Sequence, residues 1–364
     1  MIRTALIIGA AIIVSTCVSC AVGTGPAPPP PGGGPAPFIR AACSAADFRA
    51  KIAYYEDSQY HPGPGVRPPA TTTFPTNHHY VDDLVKVFTD NPQFQPQLCK
   101  LDAVYVNGST CTSYEECFDG SWGWRQRVPT IGSGRAVALS ADVWNKPSYS
   151  QYETDLMQTV LPVGAYYSGA QSCSGEICTS IDSFETALTS ALAHEVGHVL
   201  WYDLVSIYDP GSGTYSDPNL FCSGTFFQHS WRTPIKPPPY WRDVLTPQQR
   251  QSNGWPNMHK VGPHIRDIDR SGNAQYRANQ TFALLGAAQP WVSAFAAMSP
   301  DEDFVETYRF ITLATAPVPL NSAEITVPTL PPSYPNIAAD YARGGKGILK
   351  KKIDCIQQAL NGYR

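Results

Sequence analysis

Charge is what this chain has least of. Only 15% of its 364 residues are Asp, Glu, Lys or Arg, and the formal net charge is −4. A balance so thin in Lys and Arg gives no basic footprint, so nucleic acid is not expected as a partner. Internal repeats are missing too, which argues against a solenoid or propeller. No pair of C-x-x-C elements occurs, so a cysteine-held structural zinc module is not expected. The apolar run Ala5 to Val14 is too short to span a bilayer.

Proline (34) and glycine (28) are abundant, so much of the chain must be loop. The N-terminal MIRTALIIGAAIIVSTCVSC pairs a basic n-region, Arg3, with an apolar core, the pattern of an export signal over residues 1–20. Cys20 follows Val18-Ser19 in a context like a bacterial lipobox. Two expectations stand side by side: lipidation at Cys20, which would be the sole membrane attachment, and cleavage without lipid. Residues 21–37, AVGTGPAPPPPGGGPAP, cannot bury a core and read as a spacer. The folded domain is expected over 38–364.

Eight of the ten cysteines lie beyond the leader, an even number that suits an oxidising compartment and disulfides. Cys111 with Cys117 and Cys173 with Cys178 would close local loops. Cys43 with Cys355 would tie the ends together.

Pattern predicts a helix over Ser44–Tyr55, another over Asp82–Phe88, and strands at AVYV, SWGW and RAVAL between Asp102 and Val137. Further helices are expected from about Tyr152, over Ser183–Leu204, Asn279–Ala297 and Pro300–Ala314, and at the C-terminus. In that last helix Lys350 to Lys352 read as a solvated face. The fold class expected is α+β: a mostly helical catalytic domain with few short strands and long, disulfide-tied loops.

The most informative segment is His194-Glu195-Val196-Gly197-His198 within ETALTSALAHEVGHVLWYDLV, which reads as one amphipathic helix. Histidines four apart lie on one helical face, so both imidazoles can converge on one metal ion. Glu195 is turned about 100° from His194. It is therefore placed to reach a water on the metal rather than to join as a ligand. Burying this set among Ala191, Leu192, Val196, Val199 and Leu200 is costly unless something pairs it. Gly197 costs about 1 kcal/mol against Ala mid-helix, and a small residue there admits close approach by another segment. This is the HExxH arrangement of zinc peptidases.

A third ligand is required. The metzincin spacing fails, because Trp201 and Leu204 stand where glycine and histidine belong. In SPDEDFVETYRF, Glu302 and Glu306 are four apart on one helical face. The same Ser299-Pro300-Asp301-Glu302 string is also a good capping box. Asp217 in GTYSD, His229 in FFQHSW and Asp203 are rival ligands. The paired motifs HEVGHVLW and EDFVETY resemble gluzincin metallopeptidases. They are most similar to lethal-factor-type enzymes and to bacterial zinc peptidases with an HExGH…W segment and a later EDFxET segment. The resemblance covers about twenty residues. It implies a zincin-like catalytic domain, Zn²⁺ held by His194, His198 and Glu302, and Glu306 hydrogen-bonded to a ligand histidine.

The function expected on these grounds is that of an exported zinc metallopeptidase acting on protein or peptide, with Glu195 as general base. Tyr308, Tyr276, Tyr202, His229 and His259 are candidate donors to a developing oxyanion. Two other classes remain open: a lipid-anchored surface protein that binds through its Trp- and Tyr-rich loops, and a zinc hydrolase of a non-peptide bond. Asp267 to Asn273 resembles the start of a calcium loop, but Ala278 stands at its twelfth position, so a surface turn is expected.

Overall fold

The computed structural model describes residues 42–56, 73–76, 78–108, 121–125, 135–160, 166–174, 176–204, 207–209, 214–216, 291–293, 295–297, 300–326 and 347–362. All of them fall within one unit, Pro37–Arg364. The leader, the spacer, the Cys111/Cys117 pairing, the calcium-like loop, Asp217, His229, His259 and Tyr276 lie outside the described residues, as do the side chains of Tyr202 and Asp203.

Helix and strand are mixed. The chain opens with α1 (Ala45–Arg49), β1 (Ile52–Tyr55), α2 (Tyr80–Asp90), α3 (Gln95–Leu98), β2 (Ala103–Asn107), β3 (Ser121–Arg125) and β4 (Arg135–Ser140). The order in the first sheet is β1-β2-β4-β3; the first three strands run parallel and β3 is antiparallel to β4. The three strand segments expected between Asp102 and Val137 are therefore present. The helix expected over Ser44–Tyr55 is not. Its first turn forms, with Ser44 and Asp47 in a reciprocal capping box. After Arg49, however, the β-branched and aromatic run Ile52-Ala53-Tyr54-Tyr55 pairs with Val104 to Asn107 as a strand.

Alternation decides the faces of this sheet. Val104, Val106, Val137 and Leu139 point into the main core. Tyr55, Tyr105, Ala136 and Ala138 form a smaller cluster on the other face, with Tyr55 edge-on to Tyr105. In α2, Tyr80, Leu84, Val87 and Phe88 are buried at helical spacing, and Phe88 stacks on Phe48 of α1.

Next come a 3-10 turn (Ala141–Asn145), α4 (Tyr149–Val160), the strands β5 (Tyr166–Ser174) and β6 (Ile177–Ser180), and α5 (Phe184–Leu204). A small hairpin of β7 (Ile207–Asp209) and β8 (Thr214–Ser216) follows. Further on are a second 3-10 turn (Phe295–Ala297), α6 (Pro300–Ala314), β9 (Ser322–Thr326) and α7 (Gly347–Gly362). Within the helix expected over Asn279–Ala297, the described residues 291–293 and 295–297 form a bend and that 3-10 turn instead. The second sheet has the order β6-β5-β9. It bulges between Tyr167 and Ala170, where Gly169 takes φ 109°, a backbone that favours glycine.

α5 differs from expectation in one respect. It is not amphipathic: every residue from Ala187 to Trp201 is buried. A helix buried on every side belongs at the centre of a core. Here α5 packs against β3 and β4 on one side, α6 on another, and α4. No helix among the described residues is long and apolar enough to cross a membrane.

Two disulfides join described cysteines. Cys173–Cys178 closes the β5–β6 hairpin, as expected. Cys43 pairs with Cys99, not with Cys355. The α1 segment lies against the end of α3, where the Lys51 ammonium donates to the Cys99 carbonyl at 2.5 Å, so the two sulfurs are brought together locally. Cys355 is itself disulfide-bonded, to a partner outside the described residues.

A candidate metal centre between two buried helices

The site lies where α5 meets α6. The two helices approach closely because residue 197 is glycine. A Cβ there would stand 3.1 Å from both Cα and Cγ1 of Val305 and 3.3 Å from Cδ1 of Tyr308. Trp201, one turn further along α5, packs on Phe304 of α6 with ring centroids 5.4 Å apart. This packing presents one face of each helix to the other: His194 and His198 from α5, Glu302 and Glu306 from α6.

His194, Glu195 and His198 form a buried group that can hold a metal ion, their ligand atoms lying within 4.8 Å of one another. His194 is 6% exposed, His198 8%, Glu302 1% and Glu195 not at all. The Nε2 atoms of both histidines turn toward Glu302, each 3.6 Å from one of its carboxylate oxygens. An oxygen of Glu195 lies 3.8 Å from Nε2 of His194. A separation of 3.6 Å is too long for a hydrogen bond. It is close to the spacing of neighbouring ligands on one ion, since atoms about 2.0–2.1 Å from a tetrahedral zinc stand about 3.3–3.4 Å apart.

The other nitrogen of His194 fixes which atom is available. Nδ1 donates to Oε1 of Glu306 at 2.7 Å. A carboxylate only accepts, so Nδ1 carries a proton, and Nε2 is the nitrogen that faces Glu302.

Charge bookkeeping also favours a cation. Among the described residues, five carboxylates are buried (Glu153, Glu195, Glu302, Asp303 and Glu306) against two cationic side chains, Arg309 and Lys352. Lys352 reaches Asp303 at 2.6 Å, and Arg309 lies between Glu153 and Glu306. Such an excess is offset by bound cations or by protons. The donor set of two imidazoles and a carboxylate, with a further carboxylate alongside, is one that can hold a metal ion.

Burial alone pushes the Glu306 carboxyl up, but Arg309 and then His194 outweigh it and hold the group below the ordinary glutamate range. Burial dominates at Glu153 and raises it, Arg309 notwithstanding. Tyr149, Tyr152 and Tyr167, nearby, are all pushed up by burial. Tyr308, expected as a donor to an oxyanion, packs against Gly197 and Phe94, and burial raises it too.

Among the participants with no place in the sequence analysis are Glu153, Ser190 and Arg309. A trace of each was available. Glu153 stands at a core position of α4, in helical register with Tyr149, Tyr152 and Leu156. Ser190 is one turn before His194, and Arg309 one turn after Glu306. No protein-family model, curated protein or solved structure matches the chain.

Proposed function

We propose that this chain is an exported zinc-dependent metallopeptidase, of zincin type, whose centre is held by His194, His198 and Glu302. The supporting observation is the convergence of both Nε2 atoms on the Glu302 carboxylate at 3.6 Å, with Glu195 alongside. A zinc ion held by these three residues would supply Lewis acidity, making a bound water more acidic and polarising a carbonyl. Glu195 takes the proton from the attacking water and delivers it to the departing amine. One of its oxygens lies 3.8 Å from Nε2 of His194, beside the two histidines. Glu306 orients His194 through Nδ1.

A peptide substrate is favoured by the antiparallel strand β3, which is an edge strand among the described residues and packs against α5. An edge exposes a row of main-chain donors and acceptors, on which an extended chain can pair. Export is supported by the disulfides, which persist in oxidising compartments.

The test is Glu195→Gln, read by metal analysis and by cleavage of casein and of quenched peptides. The variant should retain one equivalent of zinc and lose about 10²–10⁴-fold in rate, the usual contribution of a general base. Undiminished hydrolysis would rule out this role for Glu195. A zinc-loaded wild type inert toward proteins but active on another bond would move the proposal to a different substrate.

A further inference from the structure

Behind the histidine lies a polar assembly larger than orientation by one glutamate requires. Arg309, wholly buried, sends NH1 to Oε1 of Glu153 and, at 2.9 Å, to Oγ of Ser190. Its NH2 donates to Oε2 of Glu153 at 3.0 Å and to Oε2 of Glu306 at 2.6 Å. Ser190 donates to Glu153 at 3.2 Å. Ser293 donates to Oε2 of Glu306 at 2.5 Å and accepts from the amide of Ala296. Each Glu306 oxygen thus has a fixed duty: Oε2 takes Ser293 and Arg309, and Oε1 takes Nδ1 of His194.

The bonds close a ring. Ser190 and His194 are one turn apart on α5; Glu306 and Arg309 are one turn apart on α6. The path Ser190–Arg309–Glu306–His194 returns to the helix it left, and Glu153 ties it to α4. A ring of this kind sets both the rotation of α6 against α5 and the plane of the Glu306 carboxylate. For stability alone it is a poor device, since well-packed apolar residues often do as well as a buried ion pair. Its distinctive output is a direction, that of the His194 ring.

We propose that Arg309, anchored by Glu153 and Ser190, is the positioning residue of this centre: it clamps Glu306 so that His194 is held with its proton on Nδ1 and with Nε2 aimed at Glu302. The planar fork is essential. It engages two carboxylates and a hydroxyl at once, which the point charge of a lysine cannot do. The link to metal affinity rests on the reading of His194 as a ligand; the link to the histidine tautomer does not.

The experiment compares full-length wild type, Arg309→Lys and Glu153→Gln by two readouts. Nitrogen-15 histidine spectra of the metal-free proteins report the tautomer of His194, whose signal is assigned by its loss in His194→Gln. Chelator competition reports zinc affinity. Wild type should show the Nδ1–H form. Arg309→Lys should lose or broaden that signal and bind zinc about 10–100-fold more weakly, the range for removing a partner behind a metal ligand. If Arg309→Lys does not fold, Glu153→Gln carries the test, because it keeps the size of the side chain while replacing one oxygen that accepts from Arg309 with an amide NH2 that cannot. A shifted tautomer signal and weaker zinc binding are expected there too. A folded variant with lowered thermal stability but unchanged tautomer and affinity would overturn the proposal, since Arg309 would then be merely structural. A tautomer lost in the variants of a protein that binds no zinc even as wild type would uphold the clamp and sink the metal reading.

Discussion

Gly197 shows how much a single missing methyl group carries. Alanine there would gain about 1 kcal/mol of helix propensity, but its Cβ would press on main-chain Cα of Val305 at 3.1 Å, and overpacking costs about 1–3 kcal/mol. The second effect wins because a helix backbone yields less than a side chain. Gly197→Ala should therefore lose about 1 kcal/mol in denaturant unfolding and Gly197→Val roughly 3. Both should weaken zinc binding by separating the helices. Glu302 makes a sharper case, because its effect changes sign with the metal. Glu302→Gln removes a buried charge, so the metal-free variant should be as stable as wild type or more so. Wild type should gain about 4 kcal/mol when free zinc exceeds Kd by about 1,000-fold, whereas the variant should gain far less. Thermal melts with and without zinc measure both. At Glu306, a folded carboxyl held below its ordinary value of 4.5 stabilises the protein above that pH and loses the contribution as pH falls through the lower folded value. The stability gap between wild type and Glu306→Gln should therefore shrink on acidification below about pH 4.5.

Helices α5 and α6 were legible as elements because each carries a dense motif at helical spacing. What the pattern could not show was their depth. ETALTSALAHEVGHVLWYDLV reads as amphipathic only if His, Glu and Ser are assumed to seek water, and here they face another buried helix instead. The strands β5 and β6 escaped notice because YYSGAQSCS and ICTS are largely polar and pair as an exposed hairpin, held by Cys173–Cys178 rather than by apolar alternation. Lys352 was misread for the same kind of reason. Lys350 and Lys351 are exposed, as expected of a solvated face, but Lys352 is fully buried against Asp303, the neighbour of Glu302. The C-terminal helix α7 is therefore pinned to the helix that carries the third candidate ligand. Lys352→Met should cost about 3–5 kcal/mol by stranding Asp303, while Lys352→Met with Asp303→Leu should recover most of it. Equilibrium unfolding of the two singles and the double closes this cycle. No recovery in the double would mean that α7 is held by something other than the ion pair.

Across the molecule, sequence was most informative where chemistry is local and least informative where it is long-range. His194, Glu195 and His198 announce themselves within five residues. Glu302 needed a second motif over a hundred positions away, and Glu153 needed the fold itself. Disulfide pairing behaves likewise. Cys173 and Cys178 are near neighbours, but Cys43 finds Cys99 across a separation of 56 residues, around the βαβ path from β1 to β2. That bridge constrains the unfolded chain, and its removal by Cys43→Ser with Cys99→Ser should lower stability by about 2–5 kcal/mol. Because it lies at the α1–α3 end rather than between α5 and α6, the double variant should keep its zinc affinity. Differential scanning calorimetry and zinc titration test the two halves of this expectation.

The enclosure of α5 between Ala187 and Trp201 has a kinetic corollary. Its amide hydrogens have no local route to solvent from Ala187 to Trp201, so their deuterium uptake should follow opening of the whole domain rather than fraying of a part. Mass spectrometry of peptides spanning that stretch would thus serve as a built-in gauge, slowing when an ion binds and quickening when any strut around the helix is cut.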